Sequence, residues 1–294
     1  MEFLAPSSWS DALAARSAHP DAVAIAGGTD VMVELNFDRH RPPALLDLTR
    51  VPELAEWSRT DDGGVRLGAG VPYSRLMHEL SVLAPGRVRA ARTVGSPQIR
   101  ARGTVGGNLG SASPAGDCHP VLLAVDAVVE AVSVRGTRTI PVADFFTGVK
   151  KHALEPDELI AAVLIAPAAG PQQFSKVGTR NAMVIAVSAF ACALHPERGA
   201  VGTGIGSAAP TPRRALEAET FLAGELTAAG LWESRGELPE LLARAFGERV
   251  AAAASPIDDV RGSAAYRRHS LSVMARRSIT WAWNTYRTDR REAA

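Results

Sequence analysis

Apolar positions along the chain come in short runs between turn signals, and their spacing alternates between the strand period of two and the helical period of 3.6. Ser8-Trp9-Ser10-Asp11 has the form of a capped helix start and precedes Ala12, Leu13 and Ala15. Residues 22–26 predict a buried strand, Gly27-Gly28 a tight turn, and Thr29-Asp30 the cap of a helix whose apolar face begins with Val31, Met32 and Leu35. Strand, glycine turn and helix start is a layout suited to phosphate. Residues 44–48 predict another strand, Asp61-Asp62-Gly63-Gly64 a turn into a strand over 65–69, and 72–83 a helix. Further on, 121–125 predict a helix, and 127–134 with 138–142 a hairpin.

Pro167-Ala168-Ala169-Gly170-Pro171 places two prolines and a glycine in five residues, which punctuates any regular element and marks a linker. Beyond it, 173–177 and 183–194 predict strands, 196–199 a turn, and 213–222 and 238–254 helices. A last helix from about residue 264 carries Leu271, Met274, Ala275, Ser278 and Ala282 at helical spacing. Strands followed by helices predict an α+β fold, and 294 residues suggest two domains.

Composition narrows the classes. With 32 basic and 31 acidic side chains the formal net charge is +1, so bulk charge gives no reason to expect nucleic acid as a partner. The amino terminus, Met1-Glu2-Phe3-Leu4-Ala5-Pro6, lacks the basic flank and long apolar run of a secretory signal. The longest strongly apolar stretch, 181–194, is short of a membrane span, so a cytoplasmic protein is expected. Cys118 and Cys192 cannot supply the four thiolates an iron–sulfur cluster takes, and they read as buried small hydrophobes.

The chain has no Gly-x-Gly-x-x-Gly, no P-loop, no Gly-x-Ser-x-Gly elbow, no His-Glu-x-x-His and no histidine pair at ligand spacing, so no catalytic metal site is expected. Gly202-Thr203-Gly204-Ile205-Gly206 is a near miss for a dinucleotide loop, with a plain β-turn as the alternative. Two glycine loops remain, Ala26-Gly27-Gly28-Thr29-Asp30 and Thr104-Val105-Gly106-Gly107-Asn108. Amides exposed by glycines approach a pyrophosphate closely, and a helix start adds about half a positive charge. Each loop taken alone is weak evidence and reads first as a structural turn. Ser111-Ala112-Ser113-Pro114-Ala115-Gly116-Asp117 extends the second loop with hydroxyls and an acid, whose use would be to accept hydrogen bonds from loop amides, a ribose or an isoalloxazine edge.

The string from Gln98 through Arg100-Ala101-Arg102-Gly103-Thr104-Val105-Gly106-Gly107-Asn108 to Asp117, with Ala26-Gly27-Gly28-Thr29-Asp30 before it, resembles the FAD-binding medium subunit of the xanthine dehydrogenase family of molybdenum hydroxylases. The resemblance covers nearly the whole chain. It implies a PCMH-type FAD-binding domain at 1–175, in lobes of about 1–57 and 58–175, and a smaller α+β carboxy-terminal domain at 176–294. It further implies that Ala24, Ile25, Ala26, Gly27, Gly28 and Thr29 wrap the FAD pyrophosphate, with Thr104, Val105, Gly106, Gly107 and Asn108 as a clamp on its other side; Asp30, whose charge would repel the anion, would serve the site by accepting hydrogen bonds from loop amides, a ribose or an isoalloxazine edge. Ser111 would add a hydroxyl, Asp117 would bond the ribityl or flavin region, Ile160 would lie against the flavin, and Lys176 matches a family lysine close to the cofactor. Lys176 is one of only three lysines, the others being Lys150 and Lys151.

By the same resemblance, substrate is oxidised at a molybdopterin centre on a large partner, and electrons pass through 2Fe–2S clusters on a small partner to this FAD and on to NAD or another acceptor. Xanthine dehydrogenase is the expected type; medium subunits of carbon monoxide, aldehyde or N-heterocycle oxidoreductases, a non-catalytic nucleotide-binding or assembly module, and a self-sufficient flavin oxidase are the alternatives. From Arg261 onward the chain holds eight arginines and two acids, either a solvated helix face or a partner-docking surface.

Overall fold

A computed structural model describes residues 1–289; Arg290 and Arg291 of the arginine-rich terminus lie outside the described residues. Its elements run β1 (Glu2–Leu4), α1 (Trp9–Ala18), β2 (Val23–Ile25), α2 (Val31–Asn36), β3 (Ala44–Asp47), β4 (Trp57–Arg59), β5 (Val65–Gly68), α3 (Tyr73–Glu79), α4 (Pro85–Ala91), α5 (Pro97–Arg102), α6 (Val105–Ser111) and α7 (His119–Ala124). They continue with β6 (Val128–Ser133), β7 (Gly136–Pro141), α8 (Val142–Phe145), β8 (Phe146–Gly148), β9 (Lys151–His152), β10 (Leu159–Ile165), β11 (Gln172–Val177), β12 (Ser188–His195), β13 (Ala200–Gly206), α9 (Leu216–Ala228), α10 (Leu231–Ser234), α11 (Glu240–Ala252) and α12 (Ala264–Thr288). The fold is α+β, as the hydrophobic pattern predicts.

The elements gather into two compact units that interleave along the chain. The first comprises Met1–Leu83, Val94–Ser113 and Ala127–Pro167; the second comprises Ala84–Thr93, Pro114–Asp126 and Ala168–Ala294. Two short segments, around α4 and α7, therefore belong with the carboxy-terminal half, although they lie before residue 175 in sequence.

In the first unit, β1, β3 and β2 form a parallel sheet in that order. Ser8 caps α1 by accepting from the Asp11 N–H at 3.1 Å, the arrangement its sequence announces. An antiparallel sheet in the order β4-β5-β10-β6-β7 forms the second layer, with the β6–β7 hairpin at one edge. Its central strand, β10, is buried along nearly its whole length, which explains the apolar run Leu159-Ile160-Ala161-Ala162-Val163.

In the second unit, β11, β12 and β13 make an antiparallel sheet backed by α9, α11 and α12. Phe190, Leu194, Ile205, Leu222, Phe246, Leu271, Ile279 and Trp283 fill the space between them. Trp283 and Tyr286 are buried against Trp232, with ring centroids 5.4 and 6.0 Å from it. Trp281, two residues away, is exposed.

The structure corrects several boundaries. The strand predicted over 183–194 begins only at Ser188, because the chain turns through a left-handed Met183 whose carbonyl the Arg180 guanidinium holds. The helix predicted over 72–83 ends at Glu79, and the one predicted from 213 starts at Leu216, since Arg213 pairs with Ile205. Gly202-Thr203-Gly204-Ile205-Gly206 is neither a dinucleotide loop nor a turn but the strand β13. A Cβ at Gly202 would sit 2.0 Å from the Ala124 carbonyl oxygen, and one at Gly204 1.9 Å from that of Pro120. Those glycines let α7 lie directly on the strand. Both cysteines are buried and neither is in a disulfide, and burial pushes the Cys192 thiol up to about 12.

Candidate functional site

The two glycine loops meet within the first unit. β2 ends at Ile25, and Gly28 takes a left-handed φ of 75°, which turns the chain into α2. Gly27 packs on the second loop so closely that a Cβ there would lie 1.9 Å from the Arg102 carbonyl oxygen. Thr104, directly after that contact, is buried and caps α6, its hydroxyl accepting from the Gly107 N–H at 2.9 Å.

The amides of the two loops differ. The Gly106 N–H donates to the Ala69 carbonyl and the Asn108 N–H to the Thr104 carbonyl, each at 3.0 Å, so with Gly107 three amides of the second loop are engaged inside the protein. Among the described residues, the N–H groups of Gly27, Gly28 and Thr29 donate to no acceptor of the chain. Ser111 Oγ donates to the Asn108 carbonyl at 2.9 Å. Asp30 stands at the cap position of α2 without a side-chain cap bond. Ile160 is 8% exposed on β10, the strand on which α6 rests.

Asp117 and Lys176 fall in the second unit, where they pair with each other. Lys176 Nζ donates to Asp117 Oδ2 at 2.6 Å, and the two side chains are 8% and 7% exposed. Lys176 Nζ also donates to the Thr93 carbonyl at 3.1 Å, while Thr93 Oγ1 donates to the same Asp117 oxygen at 3.1 Å. Burial pushes the Asp117 carboxyl above its ordinary range, against the opposing pull of Lys176 and Thr93. Asp117 Oδ1 is buried with no hydrogen-bond partner. Thr93, the hinge of this triad, is a residue the sequence does not single out: it sits 24 positions from Asp117 and 83 from Lys176 and belongs to no motif.

Residues 1–168 match the FAD binding domain in molybdopterin dehydrogenase, and residues 173–282 match the CO dehydrogenase flavoprotein C-terminal domain. The chain belongs to the FAD-binding medium subunits of molybdenum hydroxylases. It is 35% identical to the nicotinate dehydrogenase FAD-subunit of Eubacterium barkeri over 63% of this chain and 66% of that one. Against the xanthine dehydrogenase FAD-binding subunit of Escherichia coli O157:H7 the identity is 30%, over 92% of both chains. In three dimensions it is similar to a chain of the reconstituted CO dehydrogenase from Oligotropha carboxidovorans, with a TM-score of 0.87 and 26% identity over 97% of this chain and 98% of that one.

The donor set suits such a medium subunit's cofactor. A dinucleotide pyrophosphate asks for several N–H donors without competing partners, and Gly27, Gly28 and Thr29 offer three in succession. It also asks for backbone without side chains at its approach. A Cβ at Gly107 would meet nothing within 4 Å except Thr104 Oγ1 at 3.0 Å, and one at Gly110 would meet nothing. The residues therefore fit an FAD. Val105 and Gly106, by contrast, are buried; a Cβ at Gly106 would fall 2.4 Å from that of Ala69, so this glycine serves packing.

Proposed function

We propose that this medium subunit carries one non-covalent FAD and passes electrons within a xanthine-dehydrogenase-type enzyme of the cytoplasm, beside a small 2Fe–2S subunit and a large molybdopterin subunit. The observation that carries this reading is the run of unengaged amides at Gly27, Gly28 and Thr29, packed on the loop that opens at Thr104. When bound, FAD supplies exchange between one-electron donors and a two-electron acceptor such as NAD. The chain's own residues bind and orient. Gly27, Gly28 and Thr29 donate to the pyrophosphate, with Ala24, Ile25 and Ala26 leading into the turn and Asp30 following it. Gly107, flanked by Thr104, Val105, Gly106, Asn108 and Ser111, gives the bare backbone against which the phosphates rest, and Ile160 supplies an apolar wall.

Asp117 Oδ1, the spare buried acceptor, takes a hydrogen bond from the ribityl or flavin region, and Lys176, whose charge Asp117 balances, holds that carboxylate in place. Among the described residues, no three His, Cys, Asp or Glu side chains are grouped to hold a metal ion, and the cluster and molybdenum chemistry is assigned to the partners. Similarity to the xanthine dehydrogenase FAD-binding subunit over 92% of both chains supports the purine reading. A second reading, hydroxylation of a pyridine carboxylate, is supported by the 35% identity to the nicotinate dehydrogenase FAD-subunit.

Co-expression with a small 2Fe–2S and a large molybdopterin subunit from the same source, followed by assay of xanthine- and nicotinate-dependent NAD⁺ reduction, decides between the two. Acid denaturation should release the flavin, since neither glycine loop contains a histidine or cysteine for attachment. A purified chain that holds no flavin refutes the site, and xanthine turnover by the isolated chain refutes the division of labour.

A further inference from the structure

Helix α12 contains no aspartate or glutamate in its 25 residues, yet it carries Arg268, Arg276 and Arg277, none of which makes an ion pair among the described residues. One side of it is exposed. Tyr266, His269, Val273, Arg277 and Trp281 recur at helical spacing and, with Lys176 of β11, line a groove of about 450 Å³ within the second unit. From Tyr266 to Trp281 the stripe is about 22 Å long at 1.5 Å per residue. Tyr266 is 49% and Trp281 50% exposed, large aromatic areas left in water on either side of the cations. The floor is fixed: Ser175 Oγ meets Ser278 Oγ at 2.8 Å, and Ser188 Oγ meets Ser270 Oγ at 2.7 Å, fastening the sheet to the helix beneath the groove.

We propose that this groove is the docking surface for an acidic protein partner, a subunit of the same complex that inserts an apolar side chain between Tyr266 and Trp281 and sets carboxylates against His269 and Arg277. Tryptophan, tyrosine and arginine are the residue types that dominate binding energy at protein interfaces, and here they share one rigid face. The charge selects the occupant. A second copy docked isologously would bring this acid-free helix against itself and oppose arginine to arginine, which disfavours a homodimer. Nucleic acid would ask for a broader basic surface than this near-neutral chain offers. Lys176 ties the groove to function, because the strand that lines it also holds the cation assigned to the flavin region; in that respect the inference rests on the proposed function.

The test uses the full-length flavin-loaded chain and its separately purified small and large partner subunits, with affinity measured by calorimetry at two salt concentrations. Trp281→Ala and Arg277→Glu should each weaken one partner at least tenfold, and higher salt should weaken the wild type while affecting Arg277→Glu less. Leu241→Ala, at a still more exposed apolar site on α11, should change nothing. Flavin content and circular dichroism should match wild type in all three, which separates this proposal from the flavin reading; a wild-type chain without FAD would sink only the latter. Wild-type affinity in both α12 variants, no complex with either partner, or self-association or single-stranded nucleic-acid binding abolished by Trp281→Ala with partner affinity intact, would each overturn the docking assignment.

Discussion

Gly106 and Gly107 are adjacent in one helix turn, and the structure assigns them opposite duties that substitution can separate. A Cβ at Gly106 falls 2.4 Å from the Ala69 Cβ and 2.7 Å from its carbonyl oxygen, the acceptor of the Gly106 N–H. Overpacking of this kind costs about 1–3 kcal/mol, so Gly106→Ala should lower stability and disturb the fold around α6. At Gly107 the added atom meets only Thr104 Oγ1 at 3.0 Å. In Gly107→Val, a few tenths of a kcal/mol gained in helix propensity offset part of the roughly 1 kcal/mol at risk in the Thr104 cap, and stability should stay within about 1 kcal/mol of wild type. Its branched side chain nevertheless occupies the space assigned to the pyrophosphate. Lengthening two charge-assisted hydrogen bonds to the opposing amides forfeits about 1.5–3 kcal/mol each, which is roughly a hundredfold or more in FAD affinity. Equilibrium dialysis against FAD, paired with urea unfolding, measures both quantities. Unchanged FAD affinity in a folded Gly107→Val protein would refute the assignment of the second loop.

Three further outcomes follow from charge and packing in the second unit. Asp117→Ala strands the buried Lys176 ammonium and should cost about 3–5 kcal/mol in urea unfolding, while the double variant Asp117→Ala/Lys176→Met should recover most of that loss; equal stabilities for single and double variants would deny the coupling. Burial pushes the Asp259 carboxyl up, but the Arg261 amide and the Arg261 and Arg267 guanidinium groups outweigh it and hold it at about 2, below its ordinary 3.8. Its contribution of about 1 kcal/mol is therefore complete above about pH 4 and disappears as pH falls through about 2, and Asp259→Asn should flatten that part of the stability–pH curve. Gly204→Ala forces β13 away from the Pro120 carbonyl and should lower the melting temperature by several degrees without altering any residue of the FAD loops.

Local signals in the sequence located most elements. The Ser8 cap, the 127–142 hairpin and the long last helix announce themselves through short-range chemistry, and the structure keeps all three. What the pattern could not reveal depends on distant neighbours. Residues 183–187 are as apolar as the strand that follows, yet the chain turns at the left-handed Met183, held by Arg180, and rejoins the sheet only at Val187, whose N–H donates to the Val177 carbonyl. Thr93 is invisible for the same reason, since its role exists only where α4, α7 and β11 converge. The residues of the proposed site stand in the sequence as a string, but the string does not show how they are arranged. That Lys176 and Asp117 neutralise one another is a fact of packing, and so is the difference between engaged and unengaged amides in two loops of similar composition.

Glycine-rich sequence thus records two physical demands that composition alone does not distinguish. At Gly27, Gly106, Gly202 and Gly204 the missing Cβ makes room for another part of the same chain, and the contact is already made. At Gly107 and Gly110 the space above the backbone is open, as it also is at Gly136, Gly224 and Gly230, and in the proposed site that space takes the pyrophosphate. The string over 202–206 has the density of a nucleotide loop, yet all three of its glycines face α7. The clamp at 104–108 contains one glycine of each kind: Gly106 fixes α6 against Ala69, and Gly107 presents the surface so fixed. A rigid backing and a bare face are both required if a loop is to hold a pyrophosphate in place without reorganising when it arrives. That pairing, together with the three free amides at Gly27, Gly28 and Thr29, distinguishes this site from the chain's other glycine-rich segment.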